Sequence, residues 1–187
     1  MRIILASGSP RRRELLEREG LDFEVKPSPA EELHDRTMDP VKLCERNAEL
    51  KATALNEPGA VVIGADTLVF LDGEPLGKPR ALDEARDMLG RLTGRTHTVC
   101  TGVCVVGCDG RAECFHGLTQ VTFRDFGVEV IDEYFERVNP LDKAGAYGIQ
   151  EFGEMLVAEI EGSFDNVMGL PVDQLLVRLR ACGEGSM

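Results

Sequence analysis

The sequence predicts an α/β fold on a mixed sheet, and three observations carry that prediction. Short apolar runs, Ile3-Ile4-Leu5 and Ala60-Val61-Val62-Ile63, have the length and branching of buried strands. Other segments place apolar residues at helical spacing, as with Ala85, Met88, Leu89 and Leu92. The two kinds of segment alternate along the chain without internal repeat, low-complexity tract or linker, which is the pattern of packed sheet and helix layers.

Taken in order, Ile3-Ile4-Leu5 opens the chain as a strand and Ala6 to Ser9 form a tight turn. Ser9 and Pro10 start a helix, with Ser at the cap and Pro at the first helical position, and Gly20 stops it. Phe23 to Val25 reads as a short strand before the loop Pro27 to Glu32. A helix then runs from about Asp39 or Pro40 to Leu55, with Val41, Leu43, Cys44, Ala48 and Ala52 on its apolar side. The strongest strand begins at Ala60 and continues past Asp66 to Leu71, where Asp72-Gly73 signals a hairpin; a bulge at Gly64 is expected only in the alternative where Asp66 caps a turn. Leu82 to Leu92 is helical and Thr93-Gly94 ends it. Strands follow at Thr98 to Val106 and Ala112 to Arg124 around the turn Asp109-Gly110, then a helix at Glu129 to Val138. After the loop Asn139 to Gln150, Met155 to Ile160 and Asn166 to Leu170 read as short strands. The last helix begins near Pro171 and ends before Gly183.

A length of 187 residues suits a single domain, expected to span 1–187, with enough chain to bury a core. The net charge is −12 and the pI near 4.7, which argues against a nucleic-acid or anionic-membrane partner. No apolar run approaches the roughly 20 residues that span a bilayer, and the apolar segment at the N-terminus is too short for a signal peptide, so the expected compartment is the cytoplasm.

Six cysteines raise the question of zinc. Cys100, Cys104 and Cys108 recur at every fourth position, with His97 before them and Cys114 after. On a strand, positions four apart share a face but lie about 13 Å apart at about 3.3 Å rise per residue. Zinc needs ligands about 2.0–2.3 Å away, so these three do not converge, and no C-x-x-C pair exists. The cysteines are expected to be buried small hydrophobes in a reducing compartment.

The densest positive cluster, Arg11-Arg12-Arg13, sits on the first helix start, where free backbone N–H groups already favour anions. That combination points to a phosphate-rich ligand, although neither a P-loop nor a dinucleotide-type glycine motif is present. Asp66 interrupts an apolar strand where a carboxylate is costly to bury alone. With Glu31, Glu32, Lys51 and Lys78 it fits a metal-assisted phosphoryl site, in which carboxylates hold Mg²⁺ or Mn²⁺ and cations meet phosphate oxygens. The small residues of Asp142 to Gln150 allow close backbone approach, with Tyr147 and Gln150 placed to stack on and hydrogen-bond a ring.

Ser7-Gly8-Ser9-Pro10-Arg11-Arg12, Lys51-Ala52, Gly64-Ala65-Asp66-Thr67, Gly77-Lys78-Pro79, Asp142 to Gln150 and Asn166 to Pro171 occur in the order seen in the Maf family of nucleoside triphosphate pyrophosphatases. The resemblance runs from about Ile3 to Arg178. It implies a Maf/ITPase-like fold, a twisted mixed sheet flanked by helices with two lobes around a cleft. It implies metal-dependent cleavage between the α- and β-phosphates, with Asp66 as catalytic base. Arg11, Thr67 and Gln150 match positions linked to base choice in the branch that takes dTTP and UTP. Ser7, Arg12, Glu32, Lys51 and Lys78 match polar residues lining the family's cleft, Glu32 and Asp66 being the expected metal ligands. A homodimer and a possible link to cell division come with the resemblance too.

Two rival functions stand beside this one. One is pyrophosphatase action on 7-methyl-GTP, against which Asp142 to Gln150 argue, or on inosine-type or other modified nucleotides, which only a substrate panel separates. The other is a non-catalytic nucleotide-binding division regulator, for which a carboxylate beside the phosphates has no use.

Overall fold

The computed structural model describes residues 1–35, 37–55 and 57–184, so residues 185–187 of the expected domain lie outside the described residues. The strands are β1 (Arg2–Leu5), β2 (Glu24–Val25), β3 (Ala60–Leu71), β4 (Glu74–Leu76), β5 (Thr96–Val106), β6 (Ala112–Phe123) and β7 (Val157–Glu161). The helices are α1 (Pro10–Arg18), α2 (Pro40–Thr53), α3 (Leu82–Leu92), α4 (Val128–Arg137), α5 (Phe164–Met168) and α6 (Val172–Glu184). Among the described residues the strands form one seven-stranded mixed sheet in the order β2-β1-β3-β5-β6-β7, with β4 paired to β3. No helix there is long and apolar enough to cross a membrane.

Alternation along the strands sorts the core into two clusters. Ile3, Leu5, Val61 and Ile63 join the larger cluster with Leu15 and Leu16 of α1, Leu89 of α3, Tyr134 of α4 and Leu175 of α6. Ile4, Ala60, Val62 and Cys104 join the smaller one with Ala48 and Ala52 of α2. The α2 residues of that second layer, Ala48 and Ala52, are small, and the reason lies in the sheet. A Cβ on Gly64 would stand 2.2 Å from the Ala48 carbonyl oxygen, and one on Gly102 would stand 2.5 Å from the Cys44 carbonyl carbon. Both glycines exist to let the α2 backbone touch the strands. Gly64 is therefore not a bulge: it pairs in register with Cys104. Cys44 completes the contact, its Sγ accepting the Gly102 N–H at 3.1 Å and lying 2.9 Å from the Asp66 carbonyl oxygen. Burial pushes the Cys44 thiol up, so it stays neutral.

On one side β3 pairs with β5 from Val62 to Phe70 without interruption. On the other it pairs with β1 up to Ile63 and with β4 from Val69 onward. The edge between those two partners, Gly64 to Leu68, is open, and Asp66 sits in the middle of it rather than at the strand end.

Three further expectations change. Asn166 to Leu170 is not a strand: Ser163 Oγ accepts the Asn166 N–H at 3.2 Å and caps α5, and Gly169 at φ 123° ends it. Cys44, Cys100 and Cys104 are buried, but Cys108 and Cys114 are exposed, because they lie at the ends of the strands around the β5–β6 turn. Tyr147 does not face a ligand ring. It is buried, packed edge-on against Phe123, with its hydroxyl 2.8 Å from His97 Nε2.

Two outcomes follow from this packing. Gly64→Ala or Gly102→Ala should lower stability by about 3 kcal/mol in denaturant titration, because the new methyl meets backbone that has no alternative rotamer. His97 is pushed down to about 4 by burial, below the usual histidine value near 6.5. The unfolded chain therefore takes up a proton between those values that the folded chain refuses. Stability is full above about pH 6.5 and falls by up to about 3 kcal/mol as the pH drops toward 4. In His97→Gln, which keeps a partner for the Tyr147 hydroxyl, unfolding free energies at pH 7 and 4.5 should differ by correspondingly less.

Candidate active site

A cleft of about 1170 Å³ lies over the open edge of β3. Ser7, Arg11, Arg12, Glu32, Lys51, Asp66, Thr67, Lys78 and Gln150, all singled out in the sequence, line it. Because Asp66 and Thr67 are consecutive on a strand, they project from opposite faces, and the open edge lets both reach the same space.

On the α2 face, Asp66 is 6% exposed and shared between two donors from one helix. Lys51 Nζ donates to Asp66 Oδ1 at 2.7 Å, and Asn47 Nδ2 donates to Asp66 Oδ2 at 3.1 Å. Asn47 and Lys51 are one turn apart on α2, directly above the strand that the glycines let it approach. Lys51 Nζ also lies 2.7 Å from Glu32 Oε1 and 3.3 Å from the Ala65 carbonyl oxygen. Burial raises the Glu32 carboxyl, but the Lys51 bond and the charges of Lys51 and Lys78 outweigh it and hold it below its usual range.

On the other face, the Arg12 guanidinium is buried and each of its nitrogens is engaged. Nε donates to the Gly169 carbonyl at 2.8 Å, Nη1 to Ser7 Oγ at 2.9 Å and Nη2 to Thr67 Oγ1 at 3.0 Å. Burial lowers the Arg12 pKa, yet a guanidinium stays charged at any working pH. Thr101 Oγ1 donates to the Asn166 carbonyl at 2.8 Å, so across the 3.0 Å contact Thr67 is the donor to Thr101. The Thr67 hydroxyl hydrogen is thereby committed inward, and its oxygen faces the cleft only as an acceptor.

The far wall is the segment 142–150. Gly145, at φ 69°, donates its N–H to the Gly77 carbonyl at 3.1 Å, joining this wall to the Lys78 loop. The Tyr134 hydroxyl accepts the Gly148 N–H at 2.9 Å, and burial pushes both Tyr134 and Tyr147 up, so both rings are neutral anchors. Arg11 Nη1 stands 3.7 Å from Asp142 Oδ2 across the opening. Lys78 is exposed beside the cleft, and Gln150 Oε1 is buried without a protein partner.

Two features escaped the sequence. Asn47 occupies an apolar-stripe position of α2 with Leu43, Cys44, Ala48 and Ala52, and a polar side chain at such a position was the available signal. Lys143 is 4% exposed and holds the segment from within, donating to the Asn139 carbonyl and to Asp142 Oδ1, both at 2.9 Å.

Comparisons with known proteins place the chain in a family. A protein of Akkermansia muciniphila called dTTP/UTP pyrophosphatase is 49% identical, over 97% of this chain and 96% of its own. One of the same name from Nitratidesulfovibrio vulgaris is 48% identical, over 95% and 86%. The solved structure of the Staphylococcus aureus Ham1 protein shares the fold at a TM-score of 0.54 and 18% identity, over 97% of this chain and 99% of that one. The family described as Maf-like protein matches residues 2–182, and the chain belongs to it.

Proposed function

We propose that this protein hydrolyses dTTP and UTP between the α- and β-phosphates, releasing the monophosphate and pyrophosphate, with Asp66 as the base that takes the proton of the attacking water. The observation that carries the reading is the paired hold on Asp66. Lys51 and Asn47 fix both carboxylate oxygens in a cleft whose other walls carry Arg11, Arg12 and Lys78. A carboxylate placed among phosphate-binding cations repels a bound anion unless it has chemical work there. The relatives named above support the substrate class.

Lys51 links Glu32 to Asp66, so the two carboxylates converge on one point. They offer the hard oxygen donors that Mg²⁺ or Mn²⁺ takes, and no third acidic, histidine or cysteine ligand joins them among the described residues. Glu32 and Asp66 would hold such an ion together with triphosphate oxygens and water. When bound, it would neutralise phosphate charge. Arg11, Lys51 and Lys78 meet the charge that develops on the leaving pyrophosphate, and the N–H groups at the start of α1 add their dipole. Base choice falls to Gln150 and Thr67. The unpartnered Gln150 Oε1 and the acceptor-only Thr67 oxygen suit an imide N–H, which thymine and uracil carry and cytosine lacks. Substrate of this kind belongs to the cytoplasmic nucleotide pool, and we expect the protein to act there as a homodimer.

Pyrophosphate release from dTTP, UTP, CTP, GTP, ITP and 7-methyl-GTP, with Mg²⁺ or Mn²⁺ and after chelation, tests the reading. Release should be metal-dependent and fastest from dTTP and UTP, and Asp66→Asn should lower kcat by about 10³-fold. A purine preference would overturn the assignment of Gln150, and full activity in Asp66→Asn that of the base. In Gln150→Leu, the preference for dTTP over CTP should shrink by about tenfold, the worth of one hydrogen bond that only the right base makes.

A further inference from the structure

The proposed base is held by a side chain with no part in phosphate binding. Asn47 is 2% exposed, and every polar hydrogen and oxygen of its amide has a stated destination. Its Oδ1 accepts the Leu33 N–H at 2.8 Å. Its Nδ2 donates to the Leu33 carbonyl at 3.2 Å and to Asp66 Oδ2 at 3.1 Å. The bridge to Leu33 fixes which way the amide faces, since a flip would set oxygen against oxygen and nitrogen against nitrogen. The remaining N–H therefore aims at Asp66. Leu33 follows Glu32 directly, so the same amide sets where the Glu32 carboxylate stands relative to Asp66.

We infer that Asn47 is a positioning residue that locks the Asp66 carboxylate and the Glu32 loop into one unit. The inference rests on the reading of Asp66 as the reacting carboxylate. Lys51 holds the other oxygen of Asp66, but less exclusively. Its ammonium is a point charge on a flexible stem shared among three oxygens, and an incoming triphosphate competes for it. Asn47 is short, buried and out of reach of that competition. Its bond fixes the plane of the carboxylate, and hence the line along which a lone pair meets the attacking water.

The test compares Asn47→Ala and Asn47→Asp with the unaltered protein and with Asp66→Asn. It measures kcat and KM for dTTP, together with the stoichiometry and affinity of a non-hydrolysable α,β-imido analogue of dTTP. Asn47→Ala should lower kcat by about 30-fold or more, as misplacement of a reacting group does, while binding about one analogue per chain with affinity within about threefold of wild type. Asn47→Asp nearly keeps the shape and the bond from the Leu33 N–H, and it replaces the donor to Asp66 with a like charge, so analogue stoichiometry reports whether each variant is folded. It should lower kcat at least as much, again with full analogue stoichiometry. Rates within about threefold of wild type in both variants, or a fall in kcat only in step with lost binding sites, overturn the inference. An inactive Asp66→Asn beside fully active Asn47 variants means that the positioning role alone has failed. A fully active Asp66→Asn means that the base assignment has failed and takes the positioning role with it.

Discussion

The architecture depends on one close approach, that of α2 to the strands β3 and β5. A helix packed on a sheet normally keeps side chains between the two backbones. Here two glycines remove those side chains, and the Ala48 carbonyl and Cys44 backbone come down onto the strands. From that depth the short side chain of Asn47 reaches Asp66, and Lys51 one turn later reaches it too. A helix an ångström or two further out would leave Asp66 buried beside nothing, which is an expensive state for a carboxylate. The small residues Ala48, Ala52 and Cys44 are the same constraint seen from the helix side.

The second constraint is the break in strand pairing along one edge of β3. β1 ends and β4 begins with a gap between them, while β5 keeps the other edge fully paired. A rigid strand thus presents an open stretch of backbone to the cleft. Side chains from both of its faces serve one ligand space, Asp66 from above and Thr67 from below. The Arg12 network ties the lower half together: Ser7 after β1, Thr67 on β3 and Gly169 after α5 all converge on one guanidinium. Three segments remote in sequence are held to a single geometry by a group that cannot lose its charge.

Much of this was legible in the sequence. The alternation of elements carries the fold class, while the odd carboxylate in a hydrophobic strand and the arginines on a helix start each break a local rule in a way that costs stability without a ligand or partner. What stayed hidden was relational. Gly64 looks like a bulge until a helix is known to lie on it. Tyr147 looks like a stacking ring until His97 and Phe123, from two other strands, are found around it. Asn166 to Leu170 has the composition of a strand, and only the Ser163 cap and the turn at Gly169 decide for helix. Asn47 was the most readable of the missed residues, because its neighbours on the stripe are all apolar or small.

The distribution of positive charge separates building from binding. Three arginines at the start of α1 suggested a phosphate site, and the structure divides them. Arg12 faces inward and gives one bond from each nitrogen to the protein, leaving a single N–H on each of Nη1 and Nη2. Arg13 turns to Glu17 on the outer surface. Arg11 has only a weak 3.7 Å partner, and Lys78 is exposed on the same cleft. An acidic chain thus sets lightly held cations beside the fully engaged, buried Arg12. Lightly held groups reorient toward a ligand at little cost, whereas the buried one keeps the floor from moving as charge arrives. That division is what a cleft needs if it must bind a polyanion and let a shorter one go.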